Sequence, residues 1–178
     1  GPRSCYDEGK RAAETLMMGY RDYNRMNVAV ARIFNSYGPR MLPNDGRVVS
    51  NFICQVLRGE DLTIYGDGTQ TRSFCYVTDL ADGIVRLMEA DLDQPCNLGN
   101  PVERSMLEVA GFVNRFLGNP AGLVFRPLPT DDPARRRPDI ARARAHLGWE
   151  PRVTFEDGMA ATVAWFRKAL GGQADLRA

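Results

Sequence analysis

Hydrophobic residues recur along this chain with two spacings, which together predict an alternation of helices and strands. Residues 4–25 carry apolar side chains at helical spacing, including Leu16, Met17 and Tyr20, and they predict a helix. Residues 28–34 form a short and nearly continuous apolar run, which is typical of a strand buried on both faces of a parallel sheet. This alternation favours an α/β fold.

The same alternation continues to the end of the chain. Helices are predicted over 48–57, 79–89, 105–118, 140–147 and 155–170, and strands over 62–65, 72–77, 97–98 and 123–125. Asp79 is expected to cap its helix, and Ser105 with Glu108 three residues later predicts a capping box. Residues 35–46 contain two Pro, two Gly and two Asn, so we expect a long ordered loop there.

Composition and charge exclude several classes of function. The 178 residues are 44% hydrophobic and 25% charged, with a net charge of +1, which suits a core of ordinary size. Basic and acidic residues are interspersed, and the local basic run at 135–137 follows Asp131 and Asp132, so we expect no nucleic-acid partner. No apolar stretch approaches the ~20 residues of a membrane span.

The four cysteines and the single histidine do not predict a metal site. Cys5, Cys54, Cys75 and Cys96 lie far apart without the spacing of metal ligands, which favours reduced thiols and a cytoplasmic location. His146 has no second histidine or cysteine pair nearby, so we interpret it as a surface or helix-end residue.

Two residues near the start of the chain have the spacing of a catalytic pair. Tyr6 and Lys10 lie four residues apart on the first predicted helix, which places them on the same face one turn apart. A fixed positive charge close to a phenol favours the phenolate, so the pattern is typical of a tyrosine that acts as a base. The same spacing is also common for an ordinary surface pair on a solvated helix.

Several segments together resemble a known family. They are residues 1–11, 31–41, 44–52, 65–74, 97–101, 136–140 and 147–151. Over roughly residues 1–170 the chain resembles the UDP-glucuronate decarboxylases, also called UDP-xylose synthases, of the extended short-chain dehydrogenase/reductase superfamily. The Tyr-x-x-x-Lys pattern and the Arg-x-Phe-x-Tyr-Val-x-Asp pattern at 72–79 belong to the superfamily at large, whereas 3–11 and 44–50 look specific to the decarboxylases.

The resemblance implies the C-terminal part of a Rossmann-type parallel sheet plus a smaller α/β substrate-binding domain. Residues 1–47 would form the C-terminal part of the NAD-binding Rossmann domain. Residues 48–170 would form mainly the nucleotide-sugar-binding domain, with some strands and helices returning to the Rossmann sheet, and 171–178 would be a tail. Family members begin with a Gly-rich strand-to-helix turn that holds the dinucleotide. This sequence lacks that turn, and its nearest glycine cluster, at 66–68, predicts an ordinary turn.

The resemblance also implies a reaction, a cofactor and catalytic residues. Family members convert UDP-glucuronate to UDP-xylose with NAD, through a 4-keto intermediate. Tyr6 would act as general base, Lys10 would favour its phenolate, and Arg136 would contact the sugar carboxylate and assist protonation after CO2 leaves. Contacts to NAD are implied for four residues: Tyr6, Lys10, Ser36 and Arg40.

A further set of residues is implied in substrate binding. The set comprises Asn35, Arg47, Val49, Ser50, Phe52, Tyr65, Arg72 and Arg136. Arg72 is the first candidate for the UDP phosphates, because a guanidinium can bind phosphate oxygens in a bidentate manner, and Arg47 is the second. Val49 and Phe52 are equally consistent with the plain core of a helix.

Three classes of function are consistent with these residues. The first is the decarboxylase, and the second is a nucleotide-sugar 4-epimerase or 4,6-dehydratase that uses the same Tyr6 and Lys10. The third is a non-catalytic nucleotide-binding fragment, which the missing Gly-rich turn favours. The resemblance implies a homodimer through the helix that carries Tyr6 and Lys10.

Overall fold

A computed structural model describes residues 4–43, 45–118, 122–130, 133 and 135–174, with the backbone alone for 172–174. Parts of the sequence motifs, namely 1–3, 44, 131 and 132, lie outside these residues. The helices are α1 (Ser4–Asn24), α2 (Val48–Leu57), α3 (Val77–Glu89), α4 (Met106–Leu117), α5 (Ala141–Leu147) and α6 (Phe155–Ala174). The strands are β1 (Ala31–Ile33), β2 (Ser36–Tyr37), β3 (Leu62–Tyr65), β4 (Thr71–Ser73), β5 (Cys75–Tyr76), β6 (Cys96–Leu98), β7 (Glu103–Ser105), β8 (Leu123–Arg126) and β9 (Arg135–Arg136).

Parallel pairing dominates the strands of the described chain. β1 pairs with β6, β2 with β5 and β3 with β8, all in parallel. β4 lies between β7, which is antiparallel to it, and β9, which is parallel. Together with the helices that pack on these strands, this pairing confirms the predicted α/β class.

Two hydrophobic clusters form the core. The larger joins α2, α4 and α6 with β3, and its most buried members include Ile53, Val113 and Phe166. The smaller lies around Trp149 and joins α3, α5 and β6. The predicted capping box of α4 is confirmed, because the Ser105 hydroxyl accepts from the Glu108 amide at 3.1 Å and the Glu108 carboxylate accepts from the Ser105 amide at 2.6 Å.

Three predictions about these elements were wrong in part. The run at 28–34 contributes just Ala31–Ile33 to a strand, which pairs with β6 alone within the described residues, and Ile33 is 53% exposed rather than buried. The run at 72–77 divides into β4 and β5 because the two halves pair with different strands. The last helix continues four residues beyond the predicted end.

Asp79 is not the cap of α3, as the sequence predicted, but lies in the first turn of that helix. Its carboxylate accepts the backbone amides of Arg152 and Val153 at 3.0 and 2.9 Å. The indole of Trp149 donates to the Asp79 carbonyl at 2.9 Å. Asp79 therefore ties the start of α3 to the segment that leads into α6. In the described part of the chain, every helix is too short or too polar to span a bilayer.

Candidate active site

The structure brings the predicted catalytic pair together on α1. The Lys10 ammonium lies 5.4 Å from the centre of the Tyr6 ring, and 60% of Tyr6 is exposed. No described side chain of α1 is buried. Arg32 of β1 holds the helix through a bidentate ion pair with Glu14, at 2.7 and 2.6 Å. Tyr6 and Lys10 thus form a cationic and phenolic surface that is open to a ligand.

Asn35 lies where β1 ends and the chain turns toward β2. Its backbone carbonyl accepts from the Cys75 amide at 2.9 Å, which fixes it beside β5. Its side-chain amide nitrogen is buried and has no hydrogen-bond partner within the described residues. A buried donor without an acceptor costs free energy, so Asn35 is a candidate for contact with a bound molecule.

Ser36 in β2 and Arg47, which directly precedes α2, lie close together. The Arg47 guanidinium donates to the Ser36 hydroxyl at 3.4 Å and lies 3.5 Å from the Asp45 carboxylate. Arg40 is exposed and has a left-handed φ of 69°, which an arginine rarely adopts outside a turn. The segment therefore carries two of the predicted cations, Arg40 and Arg47, and Asp45 compensates the charge of Arg47.

Four of the residues that the resemblance implies in substrate binding divide into buried and exposed side chains. Val49, Ser50 and Phe52 are at most 2% exposed, and Ser50 donates to the Asp45 carboxylate at 2.6 Å. Their burial favours the core interpretation that the sequence left open for Val49 and Phe52. Tyr65, at the end of β3, is 47% exposed and accessible to a ligand.

Three arginines lie in a row across the sheet β7–β4–β9. Arg72 of β4 is paired with Arg104 of β7 on one side and with Arg136 of β9 on the other. Paired residues of neighbouring strands point to the same face, so the three cations share one surface, which we call the arginine row. Arg72 is 8% exposed, and Arg104 lies over the Phe155 ring at 4.5 Å.

The sequence motifs missed Arg104. It belongs to none of the segments that carry the family resemblance, and its strand of three residues is too short to show an alternating pattern. The pairing with Arg72 involves residues 32 positions apart, which a single sequence does not reveal. The signal that this sequence offered is the polar pair Glu103 and Arg104, directly before the capping box that begins at Ser105.

Arg104 of the arginine row shares a cavity with Asn100, which follows the carboxyl end of β6. Asn35 follows β1, and Asn100 follows β6 on the way to β7. A cavity of about 200 Å³ opens there, lined by Phe74, Asn100, Val102, Arg104, Val153, Thr154, Phe155 and Glu156. Ligands of parallel α/β sheets bind at this end of the strands.

On the face of the sheet β7–β4–β9 opposite the arginine row, the acidic residue Glu103 lies between two hydrogen-bond partners. The Glu103 carboxylate accepts from Arg135 at 2.7 Å and from the Thr71 hydroxyl at 2.8 Å. These hydrogen bonds, the one from Arg135 above all, hold the pKa of the Glu103 carboxyl at about 2. Glu103 is therefore ionised at every pH at which the protein would work.

Cys75 is the cysteine nearest to this region. It is fully buried in the smaller core cluster. Burial, with the nearby Asp79 carboxylate, raises the pKa of the Cys75 thiol to about 12. The thiol stays protonated at neutral pH and is a poor nucleophile.

Parallel strands with polar residues at their carboxyl ends define a Rossmann-type α/β protein. The model of the NAD dependent epimerase/dehydratase family matches residues 1–99. Because that match covers more than half of the 178 residues, the chain belongs to this family.

Curated proteins that are 51–54% identical to this chain are named UDP-glucuronic acid decarboxylases. UDP-glucuronic acid decarboxylase 1 from Xenopus tropicalis is 52% identical over 175 residues, which are 98% of this chain and 42% of that protein. UDP-glucuronic acid decarboxylase 2 from Arabidopsis thaliana is 54% identical over 172 residues, which are 97% of this chain and 39% of that protein. The chain thus spans less than half the length of these two relatives.

A solved structure shows the same fold. It is the UDP-glucuronic acid 4-epimerase from Bacillus cereus in complex with UDP-glucuronic acid and NAD, with a TM-score of 0.81 and 29% identity. The match covers 88% of this chain and 50% of that chain.

Proposed function

We propose that this chain carries the substrate-binding surface and the catalytic base of a UDP-glucuronate decarboxylase. The observation that carries the proposal is the arginine row, whose three cations suit a ligand with two phosphates and a sugar carboxylate. Arg72 would bind the phosphates, and Arg136 would bind the carboxylate. The relatives above 50% identity favour the decarboxylase over the 4-epimerase, to which the identity is 29%.

The chemistry of the chain's own residues follows from their positions. Tyr6 would take the proton of the C4 hydroxyl and later return it, while Lys10 would favour the phenolate and bind the nicotinamide ribose. When bound, NAD would supply the acceptance and return of a hydride at C4. The 4-keto sugar is a β-keto acid that loses CO2 readily because its carbonyl accepts the electrons. Arg136 would then assist protonation at C5.

The described residues fit one end of NAD. The open surface of Tyr6 and Lys10 suits the nicotinamide side, and Ser36 and Arg40 would also contact the cofactor. The unpartnered amide of Asn35 suits the nucleotide-sugar instead. The turn at 66–68 joins β3 to β4 rather than a strand to a helix, so it lacks the geometry that binds a pyrophosphate. We therefore expect this chain alone to be inactive and to bind NAD negligibly by calorimetry. Binding at micromolar NAD would contradict this expectation.

We further propose that α1 mediates a homodimer. Leu16, Met17, Tyr20 and Tyr23 of this helix are each at least 50% exposed. Such a cluster of large apolar side chains favours association with another apolar surface, and a second copy of α1 would supply one. Light scattering of the chain should show a dimer, and a strict monomer at high protein concentration would contradict this proposal.

Product analysis tests the proposed reaction. The natural protein that contains these residues, supplied with NAD and UDP-glucuronate, should release the labelled carboxyl carbon as CO2 and form UDP-xylose. Formation of the C4 epimer without CO2 would instead identify a 4-epimerase. Arg136→Ala should reduce decarboxylation more than UDP affinity, and the reverse pattern would make Arg136 a nucleotide contact.

A further inference from the structure

The two faces of the sheet β7–β4–β9 carry opposite chemistry. Thr71 is paired with Arg135, and Ser73 is paired with Glu103, so these residues share the face opposite the arginine row. Alternation along each strand enforces this division, because neighbouring residues point to opposite faces. The same three short strands therefore present cations on one side and an ion pair on the other.

The ion pair spans all three strands. Arg135 of β9 binds both carboxylate oxygens of Glu103 of β7, and the Thr71 hydroxyl of β4 donates to the same carboxylate. A bidentate arginine–carboxylate pair restricts geometry more strongly than a single hydrogen bond. We call this arrangement the Glu103 clamp. It joins the two outer strands across the central one.

The arginine row needs such a restraint. The row places Arg136 directly opposite Arg72, so its geometry depends on the register of β9 against β4. β9 has two residues and borders β4 on one side. A strand this short has few backbone hydrogen bonds of its own to hold that register.

We propose that Glu103 and Arg135 are positioning residues, which hold β9 in register so that Arg136 stays beside Arg72 before an anionic ligand arrives. This inference rests on the proposed function, since it assigns the arginine row to the UDP-sugar. Neither residue of the clamp would touch the ligand, because both lie on the opposite face of the sheet. Their contribution would be preorganisation, which lowers the ordering cost of binding.

Hydrogen exchange of the chain without ligand tests the clamp itself. Glu103→Gln keeps the shape of the side chain but removes its charge, and Arg135→Met removes the other partner. In each variant, the backbone amide hydrogens of 135–137 should exchange at least about fivefold faster than in the unaltered chain, whereas the exchange of the α4 amides should not change. Asp82→Asn removes an ion pair of 2.9 Å on α3 and should leave 135–137 unchanged. Unchanged exchange at 135–137 in Glu103→Gln would overturn the inference whatever the protein binds.

Calorimetry with UDP and with UDP-glucuronate tests the functional part. Glu103→Gln and Arg135→Met should each lower the affinity for UDP-glucuronate by roughly tenfold. The double variant should bind no more weakly than either single variant, because the same interaction is lost in all three. Affinity unchanged in both single variants would overturn the positioning role. Failure of the unaltered protein to bind either ligand would overturn the proposed function, while the exchange experiment would still report on the clamp.

Discussion

The helix α1 and the sheet β7–β4–β9 carry the two halves of the proposed site, and they are built differently. α1 has no buried side chain among its described residues and is held to β1 by the Glu14–Arg32 pair. The sheet has a nearly buried Arg72, and a clamp on its opposite face. The difference teaches that the proposed anion-binding half is held by contacts within this chain, whereas the half that carries the proposed base lies on an exposed helix surface.

The largest expected effect concerns α1. In the natural protein that contains these residues, Tyr6→Phe should lower turnover by roughly 10²- to 10⁴-fold, because it removes the group that exchanges the proton. UDP affinity should not change, since the arginine row is untouched. Steady-state kinetics and calorimetry measure the two effects. Tyr23→Phe, on the same helix and 90% exposed, is the matched control. Most activity surviving in Tyr6→Phe would remove Tyr6 from the base role.

Substitution of Arg72 in the arginine row should instead weaken ligand binding. Arg72→Ala should weaken UDP binding by about 10- to 100-fold, because charged hydrogen bonds to phosphate are lost. Arg72→Lys should recover part of the affinity, since an ammonium keeps the charge but not the bidentate geometry. Arg144→Ala removes an exposed arginine of α5 and serves as the control in calorimetry. Equal UDP affinity in Arg72→Ala and the unaltered chain would separate Arg72 from the phosphates.

The tightly packed core predicts a smaller effect on stability. A side chain at Gly158 of α6 would meet the Tyr37 hydroxyl and, at 2.8 Å, the Tyr76 ring. Gly158→Ala should therefore lower the free energy of unfolding by about 1–3 kcal/mol, measured by urea denaturation. Gly171→Ala on the same helix has open space and should stabilise by up to about 1 kcal/mol. Similar shifts in both variants would mean that packing around Gly158 is looser than described.

The smallest effect is expected where α1 meets β1. Arg32 lowers the pKa of the Glu14 carboxyl below its ordinary 4.5. The stabilisation is therefore fully present above pH 4.5 and is lost as the pH falls through the lowered pKa. Glu14→Gln should reduce the free energy of unfolding by at most about 1 kcal/mol at pH 7 and by less at pH 3. Glu8→Gln affects a more exposed pair of α1, at 3.7 Å, and should have no measurable effect. A larger loss at pH 3 than at pH 7 would contradict the assignment.

Local signals in the sequence predicted much of the fold and half of the site. The capping box at Ser105 and the bounds of α2 and β3 are local features, and the structure confirms them. The pairing of Tyr6 with Lys10 also follows from helical spacing alone. The arginine row and the Glu103 clamp do not, because they depend on pairing between strands of two or three residues that are distant in the chain.

Asp79 shows a different reason for failure. The sequence placed an acidic residue near the start of a helix, and an acidic residue there is equally suited to capping and to the first turn. The structure assigns its carboxylate to amides more than 70 positions away. A propensity describes the local preference of a residue, whereas the fold decides which distant donors reach it.

Successive side chains of β7 point to opposite faces of the sheet, and this alternation limits how natural variants of this protein can differ in length. Between Leu98 and Glu103 the chain has four residues, in which the Asn100 side chain accepts from the Val102 amide at 2.9 Å. Insertion of a single residue that shifted β7 by one position would rotate every side chain of that strand to the other surface. A carboxylate would then replace a guanidinium beside Arg72 and repel the anion. We expect homologues to tolerate substitutions in this segment but to avoid insertions or deletions of odd length.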